Sequence, residues 1–150
     1  MLIVWRPPCR VVGIDVWEPA LALAEANVAG SAARDRIEIR KEDASELRDS
    51  GAFDLAWFPS PFLPRSKVPA ALDRTYRALR SRGWMVFGLS ASAAEPLAQR
   101  LNELRIVRSG GYAWSEPDAK ELLRTPGFLD VRAVERSWSE PVAFVTGRTA

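Results

Sequence analysis

The 150-residue sequence contains no histidine, and that absence removes more chemistry than any other. Without imidazole there is no Ser-His-Asp or Cys-His arrangement and no histidine-ligated metal, so no metal site is expected. Acid–base work would fall to Asp, Glu, Lys or Tyr. None of these stands out, and no catalytic residue is assigned. Cys9 is the single cysteine, so an intrachain disulfide is impossible and a reducing, cytoplasmic setting is the default. A small half-buried side chain is the expectation for it, rather than a reactive thiol. No hydrophobic run approaches membrane-spanning length, and MLIVW at residues 1–5 is too short for a secretory apolar core. Blocks of like charge are missing too. The net charge is +2, and 18 of the 21 basic residues are arginines spread along the chain. Neither nucleic acid nor membrane is therefore an expected partner. One further absence is local: no glycine precedes Gly13.

What is present suits an ordinary globular protein. The chain is 47% hydrophobic and 27% charged, and its length predicts one domain over residues 1–150. Strand and helix signals alternate. The β-branched run Val11, Val12, Ile14, Val16 predicts a buried strand, and Pro19 suits the first turn of a helix striped by Leu21, Ala24 and Val28. Ile37 and Ile39 alternate with charges, as in an edge strand. Phe53 to Phe58 predicts a central apolar strand closed by Pro59, Pro61 and Pro64. Val68, Ala71, Leu72, Thr75, Tyr76 and Leu79 follow helical spacing, with Gly83 as the expected stop, and Trp84 to Leu89 form the next buried strand.

Leu97, Leu101 and Leu104 mark another helix, followed by an expected flexible break at Ser109-Gly110-Gly111. Tyr112 and Trp114 after it are expected to pack rather than to cover a substrate. Ser115 with Asp118 predicts a capping box opening a helix that Gly127 ends. Two closing strands joined by Ser137 to Pro141 predict an antiparallel hairpin. The alternation implies an α/β fold with a mainly parallel sheet.

In such sheets ligands bind beyond the carboxyl ends of the strands, which is where Asp15 falls. A carboxylate there can take two hydrogen bonds from the vicinal hydroxyls of a ribose. Capping the helix near Pro19 is the competing role for the same side chain.

The order of these segments resembles that of the class I methyltransferases that use S-adenosylmethionine. VVGIDVWEPALALA is similar to their second strand and following helix, and IEIRKEDASEL to the third strand with its terminal acid. FDLAWFPSPFLP resembles the fourth strand and substrate-facing loop. YRALRSRGWMVFGL resembles the helix, turn and fifth strand, and ELLRTPGFLDV the entry to the final hairpin. The resemblance implies a Rossmann-like sheet with a C-terminal antiparallel hairpin. It implies S-adenosylmethionine as cofactor, with Asp15 on the ribose, Val16 beside the adenine, and Asp43 and the Ala44 amide on the adenine edge. It places Phe58 and Pro59 where the methionine portion and the acceptor meet. Phe58-Pro59-Ser60-Pro61-Phe62 differs from the asparagine-proline-proline-aromatic motif of many amino-group methyltransferases, which favours a small-molecule methyl acceptor.

The glycine-rich turn that follows the first strand in that family has no counterpart here. The expectation is a chain shortened at its N-terminus, lacking the first strand and most of the first helix, so that the second and fourth strands each lose a ladder partner. MLIVW could occupy the vacancy, although Pro7-Pro8 leaves too short a link for a parallel crossover. Cofactor binding by the shortened chain would then be weak or lost. Two other readings remain open: a non-catalytic scaffold that forms a homodimer, and an NAD(P)-dependent oxidoreductase, which also uses an acid at this strand end.

Overall fold

The computed structural model of the chain describes residues 9–91, 95–138 and 141–150. It forms two compact units, Met1–Ala44 and Ser45–Ala150. MLIVW and part of the link between the closing strands lie outside the described residues.

The first unit is a β-α-β crossover. Strand β1 (Val11–Asp15) runs parallel to β2 (Ile37–Lys41), with Val11 opposite Ile37 and Asp15 opposite Lys41. Helix α1 (Glu18–Ala29) connects them, with Pro19 in its first turn and Leu21 buried on its inner face. An ion pair between Glu18 and Lys41 ties the start of the helix to the end of β2. β1 is not the buried strand its composition suggests. Val11 is exposed, the central residues are half-buried, and Val16 lies beyond the strand in the open. The reason is topological: among the described residues β1 has a ladder on one side only, to β2. Cys9, expected to be half-buried, is exposed just ahead of it.

The second unit holds a four-stranded sheet in the order β3-β4-β6-β5. Its strands are β3 (Phe53–Pro59), β4 (Leu79–Ser90), β5 (Leu129–Ala133) and β6 (Val142–Arg148). β3 and β4 are parallel, and β4–β6 and β6–β5 are antiparallel, which is the expected closing hairpin. The helices are α2 (Val68–Ala78), α3 (Pro96–Arg108) and α4 (Glu116–Arg124). Pleating sends Met85, Phe87 and Val145 to one face, where they are fully buried together with Val68 and Leu72 of α2 and Leu123 of α4. Tyr76 meets Phe128 edge-on at 4.9 Å on that same side.

Trp57, Gly88 and Phe144 occupy the opposite face, with Trp57 and Phe144 edge-to-face at 5.6 Å. β3 is an edge strand among the described residues, not a central one, and this leaves Leu55 and Trp57 60% and 53% exposed. Among the described residues β1 and β3 each pair on one side only, as do β2 and β5.

Three local expectations are corrected. Helix α2 stops at Ala78, before Gly83, because buried Leu79 pairs with Phe53 and already belongs to β4. Residues 80–83 then bulge out of the ladder, with Arg82 at φ 63° and Arg80 ion-paired to Asp54 at 2.9 Å. The Ser109-Gly110-Gly111 segment is not a loose break: a Cβ on Gly111 would lie 1.7 Å from the Pro61 carbonyl oxygen, so the loop is packed against backbone. Finally, α3 turns its leucines outward. Leu97, Leu101 and Leu104 are exposed, while Ile106 is buried and Gln99, Asn102 and Glu103 are half-buried.

Candidate functional site

Asp15 ends β1, and parallel pairing brings the end of β2 level with it. Asp15 stands opposite Lys41, and the Glu42 amide donates to the Asp15 carbonyl at 3.0 Å. Asp43 follows one residue later, so both carboxylates sit at the carboxyl edge of the same parallel pair. Asp15 is exposed, and its Oδ1 accepts the Trp17 amide at 2.8 Å. That bond braces the turn into α1, whose N-cap residue, Trp17, supplies no side-chain cap of its own. Asp43 and Ala44 are half-buried, with Ala44 opening a short 3-10 turn through Glu46. Val16 is 58% exposed beside Asp15. These four residues share one edge of the first unit.

In the second unit the equivalent edge is formed by Pro59 opposite Gly88. Phe58 faces away from it. Its ring is buried and stacks on Phe87 at 5.4 Å, so the side chain belongs to the core and only its main chain reaches the strand end. Ser60, fully buried, donates to the Gly88 carbonyl at 2.7 Å and pins the turn after β3 onto β4. A Cβ on Gly88 would come within 2.3 Å of the Trp57 ring, so glycine there lets the indole lie flat on the sheet.

Trp57, Pro59, Pro61 and Phe62 form one wall of a cavity of about 260 Å³, and Asn102, Arg105 and Ile106 of α3 form another. Ser90, Pro141 and Val142 close it at the sheet. Its lining is mainly apolar. Asn102 donates its amide hydrogen to Ser90. A smaller, more polar cavity adjoins it, sharing Ser90, Asn102 and Ile106 and adding Gln99, Glu103 and Trp114. Hydrogen bonds from Gln99 and Arg100 hold the Glu103 carboxyl below the usual carboxylate range. The Trp114 indole N–H is buried without a partner among the described residues. Tyr112 and Trp114 pack on each other at 4.6 Å, and the Arg65 guanidinium lies 4.5 Å over the tyrosine ring.

Sequence reasoning missed Asn102, Arg105 and Ile106, because the leucine stripe of α3 pointed to the wrong face. Three polar or charged residues at helical spacing, Asn102, Glu103 and Arg105 around Ile106, were the available signal.

A family model described as a methyltransferase domain matches residues 2–83. No curated protein sequence matches the chain. Similar solved structures include human N-acetylserotonin methyltransferase in complex with S-adenosylmethionine, at 17% identity and a TM-score of 0.73, covering 94% of this chain and 41% of that one. A methyltransferase from Methanosarcina mazei described as S-adenosylmethionine-dependent is 17% identical, with a TM-score of 0.70, covering 93% and 82%. The [4+2]-cyclase SpnF is 18% identical, with a TM-score of 0.68, covering 94% and 67%. The chain spans about half the length of several structures that it matches. At these identities the likeness shows the fold. Among the described residues no helix is long and apolar enough to cross a membrane.

Proposed function

The chain belongs to the methyltransferase-domain family, and from that premise we propose that it is an S-adenosylmethionine-dependent methyltransferase domain acting on a small-molecule acceptor. The observation that carries this is the pair of carboxylates, Asp15 and Asp43, at one carboxyl edge of two parallel strands. When bound, the cofactor would supply a methyl group on a sulfonium.

The residues present fit its adenosine portion. Asp15 is exposed and can accept from the ribose hydroxyls, and Val16 offers an uncovered apolar surface for the adenine. Asp43 and the Ala44 amide can meet the polar edge of the base. Phe58 and Pro59, at the end of β3 in the second unit, are where the family resemblance puts the methionine portion and the acceptor rather than the adenosine. The segment Met1 to Val12 has no glycine, so no backbone cradle is assigned to the amino-acid portion. The cavity beside Pro59 suits the acceptor, because an apolar enclosure holds a nucleophile in line and limits competing water.

The family match runs across the boundary between the two units, which supports treating residues 1–150 as one domain. The lone cysteine supports a reducing, cytoplasmic setting. A homodimeric, non-catalytic scaffold is the second reading, and the outward leucine row of α3 favours it.

Calorimetric titration with S-adenosylmethionine and with NAD tests these readings. Saturable binding of the former, lost in Asp15→Ala, is the expected result. The variant should fold, because Asp15 makes one exposed hydrogen bond, worth about 1 kcal/mol. Binding of NAD alone, or of neither ligand by a stable dimer, would overturn the proposal.

A further inference from the structure

Resting on the methyl-transfer reading, we infer that the cavity between β3, β4 and α3 takes a planar aromatic acid carrying a ring hydroxyl. Three features of the cavity carry this.

First, its walls select shape. Trp57 and Phe62 present aromatic surface, Pro59 and Pro61 are rigid, and Ile106 closes the far side. At about 260 Å³ the cavity lies just below the usual ~300–1,000 Å³ range of ligand sites, so a single ring fits better than a flexible chain.

Second, its charge selects an anion. Arg105 lines the cavity and has no carboxylate partner among the described residues, whereas its helix neighbour Arg100 is held by Glu103 at 2.9 Å. A guanidinium at the rim of an apolar slot offers a fork of donors matched to a carboxylate. The adjoining polar cavity carries Glu103, which repels an anion, so the acid is directed toward Arg105.

Third, the Ser90–Asn102 pair, which also lines the cavity, selects a hydroxyl. Asn102 donates to the Ser90 oxygen, which leaves the Ser90 hydroxyl hydrogen as a donor and the Asn102 carbonyl as an acceptor. A phenol can satisfy both. Ser90 ends β4 two residues after Gly88, which stands opposite Pro59, so the hydroxyl comes to the strand edge assigned to methyl transfer. In that reaction the phenolic oxygen gains the methyl group, the sulfonium sulfur keeps the electron pair of the broken S–C bond, and the phenolic proton passes to solvent.

The test is ligand-observed NMR titration of the full chain with 4-hydroxybenzoate and with 4-hydroxybenzamide, which differ in charge but little in shape. The acid should bind about tenfold more tightly than the amide. Arg105→Gln should erase that preference and leave amide binding unchanged; the exposed side chain allows the variant to fold, which circular dichroism would verify. Equal affinity for acid and amide, a preference that survives in Arg105→Gln, or no binding of either by the folded protein would each overturn the inference. A parallel S-adenosylmethionine titration separates the two proposals. Cofactor binding without acid preference overturns this inference alone. Acid preference without cofactor binding overturns the methyl-transfer reading and leaves the ligand class of the cavity standing.

Discussion

Gly111 and Asp130 illustrate how single residues hold the second unit in shape. Gly111 lies so close to Pro61 that a Cβ would overlap the carbonyl oxygen, and the obstacle is backbone that cannot rotate away. Gly111→Ala should cost about 3 kcal/mol of unfolding free energy in urea titration, at the upper end of ordinary overpacking. Asp130 works through charge and conformation together. It sits at φ 52° in the bulge of β5, and Arg148 of β6 donates to its carboxylate. That bond and the guanidinium charge hold the Asp130 carboxyl below its ordinary 3.8. A depressed carboxyl stabilises the fold above its ordinary value, and the contribution is lost as pH falls through the lowered one. Asparagine tolerates the left-handed conformation but cannot ionise. The urea midpoint of the wild type should therefore exceed that of Asp130→Asn at pH 5 and approach it at pH 3.

At the scale of elements, α2 and α3 look alike in sequence and behave differently. Both carry apolar residues at helical spacing. α2 buries its stripe completely at Val68, Ala71 and Leu72, whereas α3 leaves its leucines in solvent and sets Ile106 and polar side chains against the sheet. Leu72→Ala is accordingly expected to cost roughly 2–5 kcal/mol. Leu101→Gln should change stability by no more than about 0.5 kcal/mol in the same urea assay. A large loss in Leu101→Gln would show the leucine row to be covered in solution. Capping was legible without the fold: Ser115 accepts the Asp118 amide at 3.2 Å, because three-residue spacing alone sets that geometry.

For the whole molecule, protection should follow ladder pairing. β4 has hydrogen-bonded neighbours on both sides and carries fully buried Met85 and Phe87. β1 has a neighbour on one side among the described residues and an exposed first residue. Amide hydrogen exchange is expected to be slowest in β4 and β6 and at least about tenfold faster in β1, since local opening tracks contact and burial. Equal protection across β1 and β4 would mean that β1 gains a second partner in solution.

The sequence by itself determined what depends on neighbours along the chain: the alternation of strands and helices, the capping box, the hairpin, and Asp15 at a strand end. These follow from side-chain period, proline placement and short-range hydrogen bonds, which require no knowledge of distant segments. Only the tertiary structure decided what depends on distant partners. It made β1 and β3 half-exposed, because burial depends on which strand lies alongside. It ended α2 at Ala78, because Leu79 pairs with Phe53. It turned Phe58 into the core and Trp57 toward the cavity, because pleat and register assign faces that composition does not distinguish. It also brought Asn102 and Arg105 to Ser90 and Pro59, a juxtaposition that spacing along the chain does not record.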